Sequence, residues 1–310
     1  AGARGIFALD VTEPDTISEG EAQDLALWEF TSDDDSKMGY ITEPPVVGMA
    51  KWGSNDYRWT AFFGNGFNSG SGKTGFFMLD LEGGLDGDWN TNDDDYRFVE
   101  FDAAGGGLGP LRAVDMDGDR VIERLYGGDL DGNMWVAESN DGSWDSAYKA
   151  KGSPQPLFTA NNNQPITTAP RVVRNPEDGG SAPNLIVLFG TGQYLTPDDP
   201  INTDTQSFYG VFEQGDSGLT QSNLESRTLT ESTVTVEGVD YTVREADGDD
   251  MDATQSGWYV DFTTEEGERV IQSPQVRGDY AFVNSIVPSQ DLCSRSEERR
   301  VGKECPSPCR

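Results

Sequence analysis

Apolar residues in this chain come in short clusters separated by Gly, Pro, Asn and Asp, and the clusters recur in a fixed order. A proline-led segment appears four times: ITEPPVVGM (41–49), LGPLRAVD (108–115), TTAPRVVRN (167–175) and IQSPQVRGD (271–279). Each is followed by an apolar run: YRWTAFFGNG (57–66), IERLYGGDLDG (122–132), NLIVLFGTG (184–192) and YAFVNSIVP (280–288). A third run follows the first three of these, at GFFMLDLE (75–82), GNMWVAES (132–139) and SFYGVFEQ (207–214). A fourth, often aromatic, follows at YRFVEFD (96–102), PLFTAN (156–161) and GWYVDF (257–262). The opening GIFALDVT (5–12) and LWEFT (27–31) match the third and fourth runs of a preceding unit. Short, β-branched or aromatic runs bounded by turn residues predict strands. A 3.6-residue apolar period is not sustained over three turns anywhere. Only 18–28, with Ser18 as cap and Glu21 three residues later, predicts a short helix.

Four strands per unit, repeating about every 60 residues, predict an all-β fold: a β-propeller of four-stranded antiparallel blades. Pro45 to Pro110 and Pro110 to Pro170 are steps of 65 and 60 residues, whereas Pro170 to Pro274 is 104. The excess falls in 215–256, an acidic insertion with its own predicted hairpin at 233–245. The expected layout of 1–293 is a half blade at 5–31, blades at 41–102, 108–161 and 167–262, and a half blade at 270–289. That propeller is incomplete at both ends, although 270–288 pairing with 5–31 is one way to close a ring. The N-terminus reads as a cut, with no leader at Ala1.

Composition sharpens this picture. Glycine is 37 of 310 residues, as a turn-rich chain requires, and 7 Trp, 10 Tyr and 15 Phe suffice to fill a core. No run approaches the ~20 apolar residues of a membrane span, so the segment reads as soluble. Histidine is absent, which excludes Ser-His and Cys-His catalysis and imidazole metal sites. A net charge of −33 argues against nucleic acid as a partner. Such a charge repels itself at low ionic strength and is screened in molar salt, which suits a chain adapted to saline surroundings or an acidic secreted one. The three cysteines, Cys293, Cys305 and Cys309, all lie near the C-terminus, so no disulfide staples the body. The basic tail 294–310 breaks with the rest of the composition and reads as an artefactual or disordered end.

One segment carries chemistry. In AVDMDGDRVIERLY (113–126), Asp115, Asp117, Asp119 and Glu123 stand at positions 1, 3, 5 and 9 of a loop. Alternating carboxylates on a tight turn repel each other unless a cation lies between them. Ca²⁺ takes six to eight oxygens and accepts backbone carbonyls, for which Val121 at position 7 is the natural donor; Mg²⁺ keeps more water and fewer carboxylates. The loop is not an EF-hand, because position 12 is Tyr126 and a strand follows. Position 6, where the sharp turn favours Gly, holds Arg120, and Gly118 is expected to relieve the turn instead. The competing reading is a solvated acidic turn. Asp129 and Asp131 read as hairpin residues capping their own backbone. The acidic runs 86–95 and 247–252 read as solvated loops, and Arg277-Gly278-Asp279 and Gly64-Asn65-Gly66 as turns.

Several segments resemble the C-terminal propeller of the PilC/PilY family of type IV pilus tip-associated adhesins. They are GIFALDVT (5–12), LWEFT (27–31), FFGNGFNSGSGKTGFFMLD (62–80), DMDGD with YGGDLDGNMW (115–135), QPITTAPRV (164–172), FGTGQYL (189–195), QSFYGVFE (206–213) and SPQVRGDYAFVNSIVPSQDLC (273–293). The resemblance implies a quinoprotein-dehydrogenase-like scaffold without that family's catalysis, secreted to the pilus tip or outer cell surface. It implies a role in pilus assembly, opposition to retraction, adhesion and twitching motility, with pilins or minor pilins and a host or abiotic surface receptor as partners. It places the family's calcium loop at Asp115, Asp117, Asp119, the Val121 carbonyl and Glu123. The family usually ends this loop with Asp and has Gly after the third Asp, so Glu123 and Arg120 depart from the pattern. The alternatives are a quinone-dependent dehydrogenase and a generic glycan-binding surface propeller.

Overall fold

The computed structural model describes residues 2–18, 20, 25–91, 94–161, 163–176, 183–246, 251–252, 254–278, 280–289 and 297–304. Cys293, Cys305, Cys309, Asp279, residues 92–93 and the acidic stretch 247–250 lie outside these. The described chain is strands, short 3₁₀ turns and loops, with Leu25 the one described residue in an α-helix. Among the described residues no helix is long and apolar enough to cross a membrane. Two compact units are present, Ala1–Gly127 with Val136–Pro154, and Gly128–Trp135 with Gln155–Arg310.

In the first unit β1 (Gly5–Leu9) pairs antiparallel with β2 (Ala26–Thr31). The helix expected over 18–28 therefore does not extend through Ala26–Trp28, which are strand; Leu25 just before them is helical, and residues 19 and 21–24 lie outside the described ones. The reason is packing: Trp28 and Phe30 alternate inward with Ile6, a period of two that a helix cannot satisfy. Next comes a four-stranded antiparallel sheet of β3 (Val46–Gly53), β4 (Asp56–Gly64), β5 (Thr74–Asp80) and β6 (Tyr96–Asp102). Phe76 to Leu79 of β5 are all buried, a run apolar on both faces because both faces are covered. One face packs Ala61, Phe63, Phe77, Leu79 and Tyr96 against Ile6, Trp28 and Phe30. The unit continues through β7 (Leu108–Val114), the first four residues of β8 (Arg124–Asp129), the part of β9 (Asn133–Asn140) from Val136 onward, and β10 (Ser143–Ser146), which folds back antiparallel on β9. A two-residue ladder of β11 (Lys149–Ala150) and β12 (Ser153–Pro154) ends it.

Gly64-Asn65-Gly66 is more than a turn. Asn65 is buried, donates its amide to the carbonyls of Lys37 (2.9 Å) and Lys73 (2.8 Å), and accepts from the Leu108 N–H (2.9 Å). It ties three loops that are remote in sequence, and a single-residue turn motif carries no trace of that.

In the second unit β13 (Phe158–Thr159) pairs with the Asn133–Met134 end of β9. The main sheet is β14 (Arg171–Arg174), β15 (Leu185–Gly190), β16 (Ser207–Glu213) and β21 (Gly257–Asp261), all antiparallel. Between β16 and β21 the inserted segment adds β17 (Leu219–Thr220), which pairs parallel with β13, and β18 (Glu225–Arg227), which pairs parallel with β21. That sheet thus has five strands instead of the four expected, because the insertion returns along its edge. The hairpin expected at 233–245 is β19 (Leu229–Val236) and β20 (Val239–Ala246), joined by the two-residue turn Glu237-Gly238. A last sheet contains β22 (Gln275–Arg277), β23 (Tyr280–Val287) and β24 (Glu297–Glu304), the last of these lying in the tail set apart above. The sheet of β1 and β2 and the sheet of β22 to β24 are separate, so no closed sheet joins 5–31 to 270–288 among the described residues. The core of this unit gathers Ile186, Leu188, Phe208, Trp258, Val260, Val270 and Val283.

Candidate metal centre

The loop between β7 and β8 brings together the four carboxylates named from the sequence. One oxygen each from Asp115, Asp117, Asp119 and Glu123 lie within 4.8 Å of one another. Among the described residues this is the one group of three or more potential metal-ligating side chains. Local turns build its first half. Asp115 accepts from the N–H of Gly118 (2.6 Å) and Arg120 (2.8 Å), and Asp117 accepts from that of Asp119 (3.1 Å). Asp119 then accepts from the Val121 N–H (2.8 Å) and Glu123 from the Met116 N–H (2.8 Å), so the last ligand position reaches back to the start. Short side chains at alternating positions satisfy the amides of a tight turn, which is why Asp suits them.

The turn strains at position 6. Arg120 has φ +73°, in the left-handed region, and Gly118 has φ +88°. Gly118 therefore does not relieve position 6 as expected: both residues take the conformation that favours glycine, and Arg120 takes it at a cost of about 1–2 kcal/mol. Two amides donated to Asp115 hold the loop in that shape.

The electrostatics run in one direction. The three Asp side chains are exposed and Glu123 is half-buried. Burial first, then the charges of Asp117, Asp119 and Asp115, hold the Glu123 carboxyl above its ordinary range, against the Met116 N–H that favours its charged form. A divalent cation would reverse that preference. The donor set is oxygen alone, which suits a hard divalent cation such as Ca²⁺, Mg²⁺ or Mn²⁺ rather than Zn²⁺ or copper. Val121 sits within the loop with its side chain buried.

The far half of the loop is supported by a partner that has no local signature in the sequence. Val121 shares a parallel bridge with Met49 of β3, and the Ile122 N–H donates to the Met49 carbonyl (2.8 Å). Met49 is some 70 residues upstream of the loop, and no local spacing signals such a partner.

Asp129 behaves as expected. It is 1% exposed and accepts from the N–H of Asp131 (3.0 Å) and Asn133 (2.8 Å), and also from the Trp135 indole (2.6 Å). Burial, outweighing these donors, holds its carboxyl above the ordinary range. A carboxyl raised on folding contributes stability below its unfolded pKa of about 3.9 and loses it as pH rises through the folded value. The stability advantage of the wild type over Asp129→Asn is therefore expected to widen from pH 6 to pH 4. Urea unfolding at the two values checks it, and an unchanged difference would count against the assignment.

The chain is similar to known proteins over nearly all of its length. A family model described as the PilY1 beta-propeller domain matches residues 1–238. The chain is 32% identical, over 321 residues, to a type IV pilus biogenesis factor PilY1 homolog of Xylella fastidiosa, covering 93% of this chain and 20% of that protein. It is 31% identical to type IV pilus biogenesis factor PilY1 of Pseudomonas aeruginosa strain PAO1, covering 95% of this chain and 27% of that protein. The crystal structure of the Pseudomonas aeruginosa PilY1 C-terminal domain superposes with a TM-score of 0.77 at 29% identity, over 97% of this chain and 64% of that one. The chain thus spans about a quarter of the length of the curated relatives it matches.

Proposed function

Since the chain belongs to the PilY1 β-propeller domain family, we propose that it is the calcium-binding propeller segment of a type IV pilus biogenesis factor and is not an enzyme. The relatives are type IV pilus biogenesis factors. The observation that carries the calcium reading is the convergence of four carboxylate oxygens within 4.8 Å on a loop already shaped by its own amides. Asp115, Asp117, Asp119, the Val121 carbonyl and Glu123 would hold the ion. Bound Ca²⁺ would neutralise the cluster and cross-link both ends of the loop, fixing one arrangement of this face. A pilin or minor pilin is the partner such a face would meet at the pilus tip, where it would support assembly, oppose retraction and contribute to adhesion and twitching motility.

Calorimetric titration with Ca²⁺ and Mg²⁺ tests this reading. The chain is expected to bind Ca²⁺ in preference to Mg²⁺, and Asp117→Ala to abolish the heat. Equal heats from both proteins would remove the site. In cells making the full-length protein, the same substitution is expected to lower the number of surface pili while retraction is active, and disabling retraction is expected to restore that number.

A further inference from the structure

The second half of the loop has ties that the first half lacks. Local turns place Asp115, Asp117 and Asp119 and also engage Val121 and Glu123, through the Val121 N–H on Asp119 and the Met116 N–H on Glu123, but only the segment 121–123 is tied to remote strands as well. Val121 bridges Met49 of β3, and the Ile122 N–H donates to the Met49 carbonyl (2.8 Å). The Glu123 N–H donates to the Val114 carbonyl (3.2 Å), and its own carbonyl accepts from the Ser139 N–H (2.8 Å). Val121 and Ile122 are both buried. The Ile122 side chain lies over Gly48, where an added Cβ would stand 2.3 Å from Ile122 Cδ1. With no side chain at residue 48, the Ile122 side chain packs directly on β3, and an added methyl there would have to displace its Cδ1 end.

We infer that cation binding at the loop and the seam between residues 121–122 and Gly48–Met49 are coupled, with Gly48 and Ile122 as positioning residues for ligand positions 7 and 9. This rests on the calcium reading above. An ion held by both halves needs the far half in place, so closing the seam favours binding. By reciprocity binding stabilises the seam to the same degree. The metal loop thereby acts as a clip between the four-stranded sheet of β3 to β6 and the strands that follow it. A second tie is independent of the loop: Lys51 pairs with Asp141 (3.1 Å), and Arg97 donates to the carbonyls of Trp52 (2.8 Å) and Gly142 (3.2 Å). It keeps these strands aligned when the seam alone is disturbed.

The test compares the wild type, Gly48→Ala, Ile122→Ala and the double variant by Ca²⁺ calorimetry, with amide hydrogen exchange at Ile122 measured with and without Ca²⁺. Gly48→Ala is expected to weaken Ca²⁺ binding about tenfold. Ile122→Ala in the same chain removes the clashing Cδ1 and is expected to recover most of that loss. Ca²⁺ is expected to slow Ile122 exchange in the wild type, a readout that needs no variant to fold. A merely structural role for Gly48 would lower the melting temperature equally with and without Ca²⁺ and leave affinity unchanged, which would overturn the coupling. Ile122 exchange indifferent to Ca²⁺ in a chain that binds the ion would also overturn it. Absence of binding by the wild type would instead defeat the calcium reading itself, and the coupling with it.

Discussion

Arg244→Ala is expected to destabilise the second unit by about 3–5 kcal/mol, the cost of stripping a buried carboxylate of its partner. The carboxylate is Glu268, 0% exposed, which accepts from Arg244 Nη1 (2.6 Å) and the Ser285 hydroxyl. Arg244 lies on β20 of the inserted hairpin and also pairs with Glu231 of β19 (2.9 Å). Burial works against its charge, and the two carboxylates outweigh that and hold its pKa above the ordinary value. Arg244 Nη2 and Glu268 Oε2 are buried without hydrogen-bond partners, so the pair is imperfectly satisfied. Replacing both members with apolar residues, Arg244→Met with Glu268→Leu, is therefore expected to cost far less than the single change. Urea unfolding of the three variants checks this. A loss below about 1 kcal/mol for Arg244→Ala would show the carboxylate to be reached by water.

Phe30→Ala is expected to cost the first unit about 3–5 kcal/mol. The fully buried Phe30 ring on β2 sits edge-on to Phe77 (5.3 Å), Trp89 (5.3 Å) and Tyr96 (5.0 Å). These contacts fasten the β1–β2 ladder to the four-stranded sheet, and a two-stranded ladder has little stability of its own. Phe7 on β1 is 67% exposed, and Phe7→Ala is expected to change stability by no more than about 0.5 kcal/mol. Thermal unfolding of the two variants separates the cases, and similar losses from both would contradict this packing.

The fold was legible wherever an element's local pattern agreed with its environment. The runs at 57–66, 75–82 and 96–102 form strands because an apolar run between turn residues has one low-energy solution when both faces are covered. The pattern misled at 26–28, where three residues fit a helix and cross-strand packing of Trp28 decided otherwise. It was silent about β18, since a parallel partner beside β21 depends on where an insertion returns and not on its composition.

The order of residues was enough to show that the chain is built of strands, that no histidine chemistry is open to it, and that Asp115, Asp117, Asp119 and Glu123 share one turn. Each follows from residue type and short spacing, which act through the nearest few peptide units. Packing in three dimensions set the rest: Arg120 in a left-handed conformation, Asn65 joining three loops, and Met49 bridging Val121 and accepting from the Ile122 N–H. Those outcomes depend on residues brought together from distant parts of the chain, and the free energy that selects them comes from burial and close approach after folding.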